Sequence, residues 1–331
     1  MKICILGSYA GRADEAMANI SYYIYSSLQA QHIDVFFLNV CNAKCLKFWK
    51  LIIRNRPAIV HYISAPTLKQ LIFLKIIQLL SGSRTVVSAT QSVLHRSRFF
   101  RTFSFFLKPD IVLVQSQRSE AFFNDIGFKN RFVQNGVDLE RFIPLDEQKK
   151  NIIRKKFGFS EKDFIILHVG PVSHERNQRA LVRFQSSSTK VLLIVSITNP
   201  SDNPAYEELT RSKIIIRKEY FPNIEEIYGM ADVYIWPVFK ELAGVEIPLS
   251  ILEAMSCNLP VVTTKYGALN RIFQQGNGLF FINSEREMEE IISKIKEGDI
   301  KINTRQKVEI MSWKEVAHTI AEIYESVYND R

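Results

Sequence analysis

Val245-Glu246-Ile247-Pro248-Leu249-Ser250-Ile251-Leu252-Glu253-Ala254-Met255, followed by Pro260-Val261-Val262-Thr263, is the stretch that decides how this chain reads. A loop carrying Glu246 runs into Pro248. Proline can open a helix because its missing N–H would be unpaired in the first turn anyway. The helix carries Glu253 on its next turn and ends near Asn258. Residues 260–263 then read as a short buried strand. Loop, helix N-terminus and strand together form an anion pocket, with the free backbone N–H groups of Leu249 and Ser250 and the positive dipole end facing outward. A carboxylate one turn in, Glu253, can accept hydrogen bonds from sugar hydroxyls.

Working outward, strands and helices alternate. Strand-like segments in the first half are 2–7, 33–39, 58–62, 85–89, 111–115 and 131–134, with helical stretches near 14–31, 44–56, 67–80 and 117–126. The second half repeats the pattern: strands at 164–169, 190–196, 213–217, 233–236, 260–263 and 278–280, helices near 176–184, 224–229, 249–256 and 285–296. Such alternation predicts α/β architecture with two doubly wound parallel sheets. A polar stretch, Asp146–Asn151, separates the halves. The expected domains are 1–146, 147–311 and a terminal amphipathic helix, 312–331, spaced for packing through Ala317, Ile320, Ile323 and Tyr324.

The chain has 331 residues, 47% hydrophobic and 23% charged, as an ordinary globular protein does. Its four cysteines, Cys4, Cys41, Cys45 and Cys257, have no metal-binding or redox spacing, and a reducing cytoplasm is expected. The N-terminus reads as a strand rather than a signal peptide, and the longest apolar run, 68–80, is interrupted by polar residues and too short to span a bilayer. Residues 1–150 hold 20 Lys and Arg against 10 Asp and Glu, whereas residues 151–331 hold 23 against 24. The whole excess of +9 therefore belongs to the first half, which is expected to meet an anionic partner. Cations and phenylalanines interleave at 95–108, and Trp49 lies among Lys47, Lys50 and Arg54. Either these aromatics meet an anionic membrane, or they are core residues beside a solvated face.

The Leu252-Glu253-Ala254-Met255 helix and Pro-Val-Val strand resemble the donor-site signature of family-4 (glycosyl transferases group 1) retaining glycosyltransferases. There, two glutamates are separated by seven intervening residues. Glu253 takes the second position; the first falls on Val245, with Glu246 one residue late. The resemblance runs along most of the chain. Residues 7–12 sit at the first strand–helix turn, where the family keeps a glycine-rich loop, and Gly11 would lie near the donor phosphates. No acidic residue closes the second strand, which disfavours a nicotinamide cofactor. Asp110–Ser116 resembles the strand before the last helix of the first domain, and Asn135-Gly136-Val137-Asp138 matches the turn that closes it. Ile165–Gly170 resembles the strand that opens the second domain. Pro171 stands at the family's arginine position and Arg176 at its lysine position; His174 or Arg179 could supply the other cation. Lys218 or Tyr220 would lie near the nucleobase.

The resemblance implies a GT-B fold, two doubly wound domains facing a central cleft, with the terminal helix crossing back to the first. It implies transfer of a sugar from a UDP- or GDP-linked donor to a glycan or lipid-linked acceptor, with retention. Gly11, Gly170, Arg176, Lys218, Leu249, Ser250 and Glu253 would bind the donor, and Glu246 would contact the transferred sugar. The catalytic histidine expected after the fourth strand is absent from Ser88-Ala89-Thr90-Gln91, which leaves His95 and His61 as candidates. The chain lacks a DxD motif, so no metal and no cofactor is expected. Nor is nucleic acid expected, since no matching motif accompanies the charge. The enzyme would be cytoplasmic and dock peripherally on the inner face of a membrane. The alternatives are a degenerate GT-B protein that holds a nucleotide sugar or partner enzyme without turnover, and a nucleotide-sugar epimerase, for which no acid/base carboxylates stand out.

Overall fold

The computed structural model describes residues 1–8, 15–64, 66–91, 98–199, 204–240 and 244–330. The chain divides into two compact units: Met1–Gly136, Gly244–Ile247 and Trp313–Arg331 form the first, and Val137–Ala243 and Pro248–Ser312 the second.

The first unit is built in order from β1 (Ile3–Gly7), α1 (Ala16–Ala30), β2 (Val35–Asn39), α2 (Leu46–Asn55), β3 (Ile59–Ser64), α3 (Leu68–Ser81), β4 (Arg84–Ala89), α4 (Arg98–Ser104), β5 (Ile111–Val114), α5 (Gln117–Asp125) and β6 (Asn130–Phe132). Its six strands are parallel, in the order β2-β1-β3-β4-β5-β6. Strands buried on both faces must be continuously apolar, which is why Ile3 to Leu6 and Val112 to Val114 are runs rather than alternations. Helix α3 shows how the local code sets an element. Thr67 accepts from the Gln70 N–H while its own N–H donates to Gln70 Oε1, a capping box, and Gly82 at φ +72° ends the helix. Leu71, Leu74 and Ile77 then face inward, each contributing about 1.5–3 kcal/mol by burial.

The second unit contains α6 (Glu147–Lys156), β7 (Phe164–Val169), β8 (Thr189–Val195), α7 (Pro204–Arg211), β9 (Ile215–Lys218), α8 (Ile224–Met230), β10 (Val233–Trp236), α9 (Leu249–Ser256), β11 (Val261–Thr263), α10 (Leu269–Ile272), β12 (Leu279–Phe281) and α11 (Glu285–Glu297). Its parallel sheet runs β12-β11-β10-β7-β8-β9. After it, α12 (Trp313–Asn329) packs on α1 within the first unit, with Trp313 stacked on Tyr23 at 5.2 Å.

Two sequence readings change. The polar stretch at 146–151, read as separating the halves, opens a helix within the second unit. Asp146 caps α6 by accepting from the Lys149 N–H, and the buried Arg154 donates to Met230 O, Glu161 O and Asp232 Oδ2. A helix whose inward residue is an arginine does not show as an apolar stripe. Asp232 collects Arg154, Lys150 and the Ile165 N–H. Residues 178–184 form a 3-10 rather than an α-helix.

The turn at 135–138 gathers distant segments. Asn135 accepts from Gln115 Nε2 and donates to Ile247 O, and a Cβ on Gly136 would lie 2.8–2.9 Å from Trp313 Cδ2, Cα and N. Val137 donates to Met311 O.

Candidate functional site

In an open parallel sheet the ligand crevice lies beyond the carboxyl ends of the two strands where the winding reverses. In the second unit those strands are β7 and β10, neighbours in space though β8 and β9 intervene in sequence. Tyr234 and Trp236, two apart on β10, share one face, and the ring of His168 of β7 reaches both. His168 stacks on Tyr234 at 6.3 Å and on Trp236 at 5.4 Å, and Tyr228 of α8 continues the row against Tyr234 at 6.0 Å.

Arg176 lies at the Trp236 end of this row. Its guanidinium sits over the indole, 4.7 Å from the ring centroid, a cation–π contact. Gly170 ends β7 at φ +147°, and a Cβ there would stand 2.6 Å from Arg176 Nη1. Only glycine lets the guanidinium lie against this backbone. Arg176 is 7% exposed, and burial lowers its pKa, opposed by Tyr234 and Tyr266. The loop between is pinned by Gln178, which donates to Pro171 O at 2.7 Å and to His168 Nε2 at 3.2 Å. Because His168 Nδ1 is 2.8 Å from Ile235 O, it carries the proton, leaving Nε2 to accept. Burial lowers the His168 pKa to about 4, so the ring is neutral. Pro171, at the expected arginine position, offers a carbonyl instead. His174 is exposed, and Arg179 pairs with Glu208 at 3.0 Å.

Glu253 lies at the other end of the row. Tyr228 donates to Glu253 Oε2 at 2.7 Å. Burial pushes the Glu253 carboxyl up to about 7, against the Tyr228 hydrogen bond and the Arg141 charge. On the same helix the Tyr234 hydroxyl donates to Ser250 Oγ at 2.7 Å. Pro248 is the N-cap of α9 rather than its first residue, so the first turn begins at Leu249 and no side chain caps it. The helix ends at Ser256, and Asn258 takes the left-handed conformation at φ +57°. The structure thus brings Gly170, Arg176, Ser250 and Glu253 onto one aromatic row. Lys218 stands apart from it, at the end of the edge strand β9 with Nζ 5.8 Å from the Tyr206 ring centroid. Trp236, Tyr234 and Tyr228 carry the row, and the sequence reading did not name them as site residues. The alternation of Tyr234 and Trp236 was the available signal, but only the sheet order shows that His168 falls beside them.

The first-unit candidates fare differently. His61 stands in mid-strand and is fully buried. Nδ1 is 2.6 Å from the Tyr324 hydroxyl and Nε2 2.7 Å from Ser88 Oγ, and burial lowers its pKa to about 3. A neutral core histidine with both nitrogens engaged does not fit the catalytic role expected of it. Glu246 is 1% exposed; its Oε1 accepts from Ser116 Oγ at 2.7 Å and Ser119 Oγ at 2.6 Å, at the start of α5. Its backbone N–H donates to Thr90 O, and Val245 bridges to Gln91. In this conformation the carboxylate serves α5 rather than an open crevice. His95 and Gly11 lie outside the described residues.

Residues 163–297 match the family described as glycosyl transferases group 1. The chain is 26% identical over 160 residues to alpha-galactosylglucosyldiacylglycerol synthase of Streptococcus pneumoniae, covering 45% of this chain and 41% of that protein. It is 24% identical over 294 residues to N-acetyl-alpha-D-glucosaminyl L-malate synthase of Bacillus anthracis, covering 82% and 73%. The chain spans about two fifths of the length of the first curated relatives it matches. Among solved structures, the Anabaena HepE protein in complex with UDP superposes with a TM-score of 0.76 at 17% identity, covering 98% of this chain and 100% of that one. That likeness carries the fold: two six-stranded parallel sheets with flanking helices. The chain thus has a GT-B fold, and residues 163–297 of its second unit match the glycosyl transferases group 1 family.

Proposed function

We propose that the protein transfers a glycosyl group from a nucleotide-sugar donor to a glycan or lipid-linked acceptor presented at an anionic surface. The observation that carries this reading is the aromatic row of the second unit, which holds a buried guanidinium at one end and a carboxyl poised near neutrality at the other. Arg176 would take the donor diphosphate in bidentate fashion, and an incoming anion would offset the desolvation of that cation. Glu253 would accept from the ribose hydroxyls. The α9 N-terminus, through Leu249 and Ser250, adds backbone donors aimed at negative charge.

The leaving diphosphate would be stabilised by these fixed charges and dipoles rather than by a metal, the form of catalysis that needs no reorganisation during reaction. Retention would follow a front-face course, in which no side chain is needed as a covalent nucleophile. The carboxylate of Glu246 reaches the sugar only if Ser116 and Ser119 release it. UDP is the first nucleotide to try, since the HepE structure holds it.

The test is a thermal-shift and sugar-release screen with UDP, GDP and their common sugars, on wild type beside Glu253→Ala and Arg176→Ala. The reading expects stabilisation by one nucleotide, lost in both variants, and slow sugar release by wild type. Stabilisation without release under any acceptor condition would favour a binding module that has lost turnover. Absence of any nucleotide effect would overturn the donor-site assignment.

A further inference from the structure

From Val35 to Pro109 the chain contains no Asp or Glu, yet it contains 12 Lys and Arg. This span includes α2, α3 and α4, which pack side by side within the first unit. Helix α3 turns Leu71, Leu74 and Ile77 into the core, but its opposite side is also apolar. Ile72, Ile76, Leu79 and Leu80, spaced i, i+4, i+7 and i+8, are 44%, 43%, 76% and 48% exposed. A helix apolar on both sides belongs between two apolar environments, and only one of them is the protein.

The neighbouring elements extend the outward face. Beyond α4, Phe105 and Phe106 are 60% and 74% exposed, whereas Phe100 is a core residue. Trp49 turns inward, its ring on Phe73 and its N–H on Ala43 O. On α2 the outward residues are Leu46, Lys47, Lys50, Ile53 and Arg54. None of Lys47, Lys50, Arg54 and Lys69 enters an ion pair among the described residues.

We propose that this face of α2, α3 and the segment after α4 seats the first unit on an anionic lipid bilayer. Its apolar stripe would lie in the headgroup–acyl boundary and its lysines among the phosphates. The proposal deepens the acceptor reading above and rests on it for its purpose. The charge selects the occupant. A second copy would bring cation against cation across a self-complementary interface, whereas an anionic membrane meets both the charge and the stripe. Among the described residues no helix is long and apolar enough to cross a membrane, so this would be surface seating.

The experiment sediments the full chain with vesicles of phosphatidylcholine alone or mixed with phosphatidylglycerol, at low and high salt. Wild type is expected on anionic vesicles, released by salt and absent from neutral ones. Lys47→Glu with Lys50→Glu should lower the bound fraction about tenfold or more. Leu79→Ser with Phe106→Ser should lower it similarly with an unchanged circular dichroism spectrum, both sites being exposed. Lys155→Glu in the second unit should change nothing. Three results would each overturn the proposal: no binding to anionic vesicles, a dimer that the Leu79/Phe106 pair abolishes, or retention on RNA but not on vesicles. UDP thermal shift on the same preparation reads the donor site separately, so either reading can fail while the other stands.

Discussion

Tyr228 donates its phenolic hydrogen to Glu253 Oε2 across 2.7 Å, and this bond opposes the burial that pushes the Glu253 carboxyl up to about 7. The group is therefore about half ionised near neutrality. Ribose hydroxyls are donors, and the ionised form is the one that accepts on every lone pair. Affinity for UDP should rise as pH rises through about 7, with protons released in calorimetry across buffers of different ionisation enthalpy. Tyr228→Phe removes a bond that favours the ionised form, so the midpoint should move to higher pH. Without ligand the sign reverses. The unfolded carboxyl ionises near 4.5 and the folded one near 7, so its contribution to stability falls as pH rises between them, and Glu253→Gln should raise Tm above pH 7.

Arg176 depends on Gly170. A Cβ at 170 would meet Nη1 at 2.6 Å in a backbone conformation that side chains rarely adopt, so Gly170→Ala should displace the guanidinium from Trp236. Its UDP-dependent thermal shift should shrink as far as that of Arg176→Ala. Loss of charge-assisted hydrogen bonds predicts about 10- to 100-fold weaker binding, read by calorimetry. Arg176→Lys keeps the charge without the planar fork and should recover only part of it. Full UDP affinity in Gly170→Ala would separate Arg176 from the phosphate.

Gly136 has no room for a methyl group. The neighbours at 2.8–2.9 Å include the backbone N and Cα of Trp313, which cannot swing aside. Gly136→Ala should cost about 2 kcal/mol or more, in the range of overpacked sites, and lower Tm without a specific effect on UDP affinity. Denaturant titration checks this.

His61 and His168 are held neutral in the core, with pKa values lowered to about 3 and about 4 by burial. Unfolded, each takes a proton near 6.5. Stability should therefore fall as pH drops from 6.5 toward 4, because only the unfolded chain gains those protons. His61→Gln should flatten this slope while lowering stability at neutral pH, since Tyr324 and Ser88 lose their fitted partner. It should leave the pH profile of sugar release unmoved; a shifted profile would return His61 to catalysis.

Much of this protein was legible in the chain itself. Continuous apolar runs alternating with helical periodicity announce two parallel sheets because strands covered on both faces have no solvent side to alternate with. Pro248, Glu253 and the following Pro-Val-Val marked the loop–helix–strand unit because caps and turns act over neighbouring residues. Other features were decided only by the tertiary structure. His61 looked available until β4 and α12 closed on it with Ser88 and Tyr324. Glu246 looked directed at a sugar until α5 came within reach of it, 127 and 130 residues away from its serines. The aromatic row exists only because β10 lies beside β7. Local propensity and capping depend on residues a few positions apart, so sequence expresses them directly. Burial, and with it the pKa of a histidine or glutamate, depends on which distant segments arrive, and that is set only when the sheets are ordered.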